Sequence, residues 1–179
     1  MVKVKSYANI AIVKYWGKKD AEKMIPSTSS ISLTLNDMFT ETEMEFINDE
    51  DIKIAVEKEI KSENCKDKFG DMTDLFYLNG ELQDSVHTEK ISKVVDLFRE
   101  NRSQKVKIST TNNMPTAAGL SSSSSGLSAV IKACNELFGK NYTQSELAQI
   151  SKFGSGSSSR SFFGPIAAWD KDTGEIYEV

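Results

Sequence analysis

Three segments of this sequence combine small residues, hydroxyls and cations in patterns suited to holding an anion. The first runs Asn112-Asn113-Met114-Pro115-Thr116-Ala117-Ala118-Gly119-Leu120-Ser121 and continues through Ser125 to Gly126. It lies between a strand pattern and an amphipathic helix pattern. Small residues let a ligand approach the backbone, and hydroxyls add donors. The first amides of a helix over 126–138 have no partner within it, and the helix dipole favours negative charge there. Nucleotide phosphates suit such a site. The common phosphate loop requires Gly-x4-Gly-Lys-Ser/Thr, yet no lysine occurs between Lys107 and Lys132. A flexible loop ending in a serine cap is the competing reading, and Ala117, Ala118 and Leu120 disfavour it.

The second segment is Asn9-Ile10-Ala11-Ile12-Val13-Lys14-Tyr15-Trp16-Gly17-Lys18-Lys19. Its lysines gather where an apolar strand gives way to a loop. Residues 1–25 hold six lysines against two acids, a local excess of +4 in a chain of net charge −4. Such a patch attracts small anions; a solvated charged rim fits it equally. The third segment is Gly154-Ser155-Gly156-Ser157-Ser158-Ser159-Arg160-Ser161. The planar fork of arginine matches a carboxylate or phosphate, and small neighbours allow a close pocket. A surface arginine on a flexible loop is the alternative. The three segments together favour an anionic substrate more than any one alone.

Composition excludes other classes. With 179 residues the chain forms one globular domain. Its acidic balance is a poor fit to nucleic acid. Cys65 and Cys134 make neither a disulfide framework nor a zinc site, and the lone His87 excludes a multi-histidine metal centre. No apolar run approaches a membrane span and no leader pattern opens the chain, so the expected compartment is cytoplasmic.

The elements that would carry these segments begin with a β-rich layer. Strands are expected over 2–8, 10–16, 31–35 and 40–46, with Ile10 to Val13 the more buried stretch. Residues 48–72 read as an insertion or a short helix and loop. A strand over 74–78 meets a tight turn at Asn79-Gly80. A helix over 84–99 is capped by Asp84 or Ser85, buries a Val86, Ile91, Val94, Val95 and Phe98 stripe, and pairs Glu89 with Lys93. A strand over 105–110 precedes the helix over 126–138, which stops at Gly139. Thr143 and Glu146 form a capping box for a third helix. Residues 155–159 read as loop, and 162–169 and 175–179 as strands.

Three strings now carry a family resemblance. Asn9 to Lys18 is similar to the opening signature of diphosphomevalonate decarboxylases, Pro115 to Ser123 resembles their ATP loop, and Gly154 to Arg160 resembles their third motif. The resemblance covers essentially the whole chain. It implies an α+β fold, a left-handed β-α-β lobe of the ribosomal protein S5 domain 2-like type, with a mixed or antiparallel sheet and helices on one side. It implies ATP-dependent decarboxylation of (R)-5-diphosphomevalonate to isopentenyl diphosphate, with ADP, phosphate and carbon dioxide as the other products. ATP and magnesium are the implied cofactors and a small diphosphate the implied partner, with no nucleic acid and no membrane. A homodimer is a possible assembly. Carried onto this chain, Arg160 holds the substrate carboxylate and Asn9 orients Arg160. Tyr15, Lys18 and Ser155 line the mevalonyl diphosphate site. Ala118, Gly119, Leu120 and Ser121, with Ser122 and Ser123, cradle the ATP phosphates, and Asn112 or Asn113 lies near the nucleotide. Family members exceed 300 residues and have two lobes. Residues 1–179 then correspond to the N-terminal ATP-binding lobe, with the C-terminal lobe and its catalytic aspartate absent and turnover impaired. An inactive nucleotide-binding or scaffold fragment, or a related small-molecule kinase, is the alternative.

Overall fold

The computed structural model describes residues 1–20, 22–59, 68–70, 72–114 and 122–179, and of Lys18 and Ser122 the backbone only. Among these residues the organising element is one long strand, β4 (Ser30–Ile47). One edge of β4 pairs antiparallel with β1 (Val2–Val13). The other edge is shared. Thr40 to Ile47 pair with β7 (Lys105–Asn112), and Ser30 to Leu33 pair with β8 (Ile166–Trp169). Beyond β7 lie β5 (Leu75–Leu78) and β6 (Glu81–Leu82), and beyond β8 lies β9 (Ile176–Glu178), completing a seven-stranded mixed sheet. Two short strands, β2 (Lys18–Asp20) and β3 (Ile25–Pro26), form a separate ribbon.

The four strands expected in the first 46 residues are therefore two. Their apparent break is a bulge. Tyr7 pairs with Phe39 and Ala8 with Leu35, so Asn36, Asp37 and Met38 loop out of β4. Asn113 secures the loop. Its side chain donates to the Asp37 carbonyl (2.7 Å) and accepts from the Phe39 amide (2.7 Å).

Four helices complete the α+β fold: α1 (Asp49–Glu59), α2 (Ser85–Val95), α3 (Ser122–Leu137) and α4 (Gln144–Gly154). Strands β5 and β7 run parallel with α2 between them in the chain, giving a β-α-β unit. Met44, Phe76, Val106 and Ile108 bury one face of the sheet against Val95, Phe98, Val130, Ile131, Leu147 and Ala148. The Asp84 cap, the Asn79-Gly80 turn with both φ positive, the Gly139 stop and the Thr143/Glu146 capping box all form as expected. No helix among the described residues is long and apolar enough to cross a membrane.

Two expectations are overturned and a third is qualified. Ile10, Ile12 and Val13 are half exposed or more. Val86 is 63% exposed, because the buried stripe of α2 runs through Thr88, Ser92 and Val95 instead. Glu89 is held mainly by both Arg102 guanidinium nitrogens (2.9 and 3.1 Å), with Lys93 only a weaker favourable charge beside it, since a bidentate fork outcompetes a single flexible ammonium.

Asp74 anchors the α2 side of the core. Fully buried, it accepts from Ser92 Oγ (2.6 Å), Arg99 Nη1 (2.9 Å) and the Val106 amide (2.9 Å). Asp74→Ala strands the buried Val106 amide and Ser92 hydroxyl and removes one of the two carboxylates that hold Arg99, which keeps Asp96, and should lower unfolding free energy by about 3–5 kcal/mol. Arg102→Ala, on the exposed side of the same network, should cost less than about 1 kcal/mol. Urea denaturation of the two variants checks the contrast.

Candidate functional site

At the end of α4 the backbone runs out of helical partners, and serine hydroxyls supply them. Ser158 Oγ donates to the Ser155 carbonyl (2.6 Å) and Ser159 Oγ to the Gly156 carbonyl (2.8 Å). Ser151 and Ser158 hydroxyls meet at 2.5 Å. These short side chains bond to local carbonyls and close a 3₁₀ turn over Ser158–Phe162. The segment expected as a loop is thus ordered and buried. Its product is the placement of Arg160, which is 2% exposed. The Arg160 guanidinium donates from Nε to Ser32 Oγ (3.1 Å) and from Nη1 to Ser30 Oγ (2.8 Å). Its central carbon lies 5.9 Å from the centre of the Tyr15 ring. No carboxylate pairs with it among the described residues. Burial lowers its proton affinity from the ordinary arginine value, and Tyr15 opposes that.

Asn9 bonds to the turn that carries this arginine. Its amide nitrogen donates to the Ser157 carbonyl (3.0 Å) and to Ser161 Oγ (2.7 Å), not to the guanidinium system. From Ser161 a hydroxyl seam leads along the sheet. Ser6 Oγ donates to the Ser161 carbonyl (3.3 Å) and shares a hydrogen bond with Ser128 Oγ on α3 (2.7 Å). Ser6 is the register partner of Thr40, and Thr40 of Asn112. Thr40 Oγ1 donates to Asn112 Oδ1 (2.7 Å) and meets Ser125 Oγ on α3 (2.7 Å). The Arg160 turn and the start of α3 therefore share one polar row across β1, β4 and β7. Beside the start of α3 opens a cavity of about 310 Å³, lined by Phe76, Leu78, Ile91 and Val130 with Thr110, Asn112 and Ser123 also at its wall.

Comparison with known proteins fits this arrangement. A family model described as the diphosphomevalonate decarboxylase-like N-terminal domain matches residues 6–72 and 62–176. The chain belongs to the diphosphomevalonate decarboxylase-like family. A diphosphomevalonate decarboxylase of Schizosaccharomyces pombe is 31% identical over 188 residues, covering 97% of this chain and 42% of the relative. The solved mevalonate pyrophosphate decarboxylase of Streptococcus pyogenes is 55% identical, with a TM-score of 0.80 over 99% of this chain and 50% of that one. A further solved neighbour, a complex with MVAPP, AMPPCP and magnesium, is 36% identical with a TM-score of 0.74, again covering 99% and 50%. The chain thus spans about half the length of the relatives it matches.

The decarboxylase-family motifs gather as two neighbouring groups. Asn9, Tyr15, Ser155 and Arg160 surround the 3₁₀ turn, with Ser155 Oγ 3.1 Å from Ser157 Oγ. Asn112 and Ser123 stand at the start of α3. The Asn113 side chain is committed to the β4 bulge. Helix α3 begins at Ser122, four residues before the expected start, so Ser123, Ser124 and Ser125 are helical. Ala118, Gly119, Leu120 and Ser121 lie outside the described residues, as do the side chains of Lys18 and Ser122. The sequence reading offered Ser30 only among possible further donors over Pro26–Ser30, and Ser32, Thr40 and Ser6 escaped it. Their signal was present: Ile31-Ser32-Leu33-Thr34 alternates, and the hydroxyl half of the alternation faces inward. Ser32 is 1% exposed, whereas Ile31 and Leu33 are 36% and 38% exposed.

A buried cation held by two neutral hydroxyls opposes folding. Arg160→Met, which fills similar space without charge, should raise unfolding free energy by about 1–4 kcal/mol. Ser32→Ala should lower it by about 1–3 kcal/mol by leaving a guanidinium N–H unpaired. Equilibrium urea unfolding measures both.

Proposed function

We propose that this chain forms the nucleotide- and substrate-binding lobe of an ATP-dependent diphosphomevalonate decarboxylase of the mevalonate pathway. One observation carries the reading: the family's motif arginine is buried, charged and free of any acidic partner among the described residues. Such a site takes an anion from outside. A planar carboxylate fits the fork, and the charge pair forms where water is scarce.

In this reading Arg160 grips the carboxylate of diphosphomevalonate, and Asn9 fixes Arg160 through the 157–161 turn. Tyr15, Ser155 and Lys18 border the rest of the substrate. The 118–123 segment holds the ATP phosphates, and the apolar cavity beside Asn112 and Thr110 offers a slot for the base. Magnesium would come with the nucleotide and offset its phosphate charge. Among the described residues no three His, Cys, Asp or Glu side chains gather around an ion, and magnesium is commonly held largely by substrate phosphates. The 3-hydroxyl is phosphorylated by ATP. As that phosphate leaves, the C–C bond to the carboxylate breaks, its electron pair forms the alkene, and carbon dioxide departs. Arg160 keeps the carboxylate ionised and aligned until then.

The second half of the relatives has no counterpart in these 179 residues. The resemblance places the catalytic aspartate there, so this chain alone should bind its ligands and turn over slowly. Calorimetry with diphosphomevalonate and with AMPPCP, beside an ADP-release assay, tests the proposal. The expected result is binding of both ligands, with Arg160→Ala weakening diphosphomevalonate by about thirtyfold or more and leaving AMPPCP unchanged. Equal losses for both ligands, or no diphosphomevalonate binding by the unaltered chain, would overturn it.

A further inference from the structure

We infer that Trp169 is a positioning residue for the Arg160 site, acting through Tyr15 and seated by the lack of a side chain at Gly156. The inference rests on the reading above, in which Arg160 binds a substrate carboxylate.

Trp169 lies on β8 directly across from Ser30, the residue that accepts Arg160 Nη1. Its indole is fully buried. The ring meets Tyr15 edge to face, with centroids 4.9 Å apart and planes at 65°. Tyr15 lies past the end of β1, where strand pairing no longer orients it. Aromatic packing sets that ring, and the ring in turn faces the guanidinium of Arg160. Gly156 closes the arrangement from the other side. A Cβ there would stand 2.8 Å from Trp169 Cζ3, 2.8 Å from Tyr15 Oη and 3.1 Å from Trp169 Cη2. The Gly156 carbonyl also accepts Ser159 Oγ, one residue before Arg160. Trp169 therefore touches or neighbours Tyr15, Gly156 and Ser30, three of the features that set the arginine.

The choice of tryptophan is informative. Its Nε1 is buried with no hydrogen-bond partner among the described residues. A phenylalanine would avoid the cost of that unpaired donor. The atoms that approach Gly156 belong to the benzo ring of the indole, which phenylalanine lacks at that reach. Size at this point outweighs an unpaired N–H.

The test uses the 179-residue chain and the variants Trp169→Leu, Trp169→Phe and Gly156→Ala. Calorimetry compares (R)-5-diphosphomevalonate with isopentenyl diphosphate, which keeps the diphosphate but has no carboxylate. Nuclear magnetic resonance follows exchange of the Arg160 Nε–H with water. Trp169→Leu and Gly156→Ala should each weaken diphosphomevalonate, by up to about a hundredfold, and isopentenyl diphosphate by at least about tenfold less. The Nε–H should exchange faster in both, and Trp169→Phe should fall between them and the unaltered chain. Gly156→Ala pushes on the same two rings without removing the indole, so it decides the question if Trp169→Leu does not fold. Variants that lose both ligands alike, or that leave Nε–H exchange unchanged, overturn the inference alone. An unaltered chain that binds both ligands equally sinks the carboxylate reading and this inference with it.

Discussion

A guanidinium withdrawn from water with only hydroxyls for company is the constraint on which the rest of this structure turns. Ser30 and Ser32 must face inward to meet it. That demand inverts the polarity of the first third of β4, placing Ile31 and Leu33 on the outside. The serines of the 3₁₀ turn must satisfy their own backbone so that no carbonyl competes for the charge. Tyr15 supplies an aromatic face where an acid would quench the site. Each of these choices weakens the fold locally and keeps the cation available. The apolar half of the sheet, under Met44, Val106 and Ile108, makes up the difference.

The hydroxyl seam explains how the Arg160 turn and the start of α3 share a single frame. Asn112, Thr40 and Ser6 are neighbours across three strands, and Ser125 and Ser128 lay α3 against that row. Small hydroxyl residues permit helix and sheet to approach closely while still pairing their polar atoms. Lys132, further along α3, reaches the same seam through Ser6 and the Ser161 carbonyl, its ammonium pushed down in proton affinity by burial. The helix that starts beside the cavity is thus keyed to the turn that carries Arg160.

Much of this was legible in the sequence, and the failures share a cause. Caps and turns read correctly because their signals are local: Asp84, Asn79-Gly80 and Thr143 with Glu146 need only their own neighbours. Asn9 and Tyr15 from the second motif segment do meet Ser155 and Arg160 from the third around one 3₁₀ turn. What failed in β1 was the inference that equated apolar with buried, though it held for Val95, Phe98, Val130 and Ile131 in the helices. Ile10 to Val13 seemed a core strand and Ser121 to Ser125 a loop, yet most of the first lies open and Ser124 and Ser125 are fully buried in a helix. Polar residues turn inward where they serve a ligand or a seam, and periodicity alone does not reveal which half of an alternation that will be.

The offset between Tyr7 and Ala8 ties the interior and the exterior of the molecule together. Upstream of it, even-numbered Ser6 reaches Ser128 on α3; downstream, odd-numbered Asn9 turns to the 3₁₀ segment, and both reach Ser161. The offset acts as a change of reading frame in three dimensions. Without it, Ile10 would occupy the place of Asn9 and the greasy stripe along Ile10, Ile31 and Leu33 would not exist. Polar machinery within and a water-averse outer wall are two results of the same local shift. Any exchange of β1 between relatives must therefore carry Asn36 to Met38 with it, or the strand will present its wrong side.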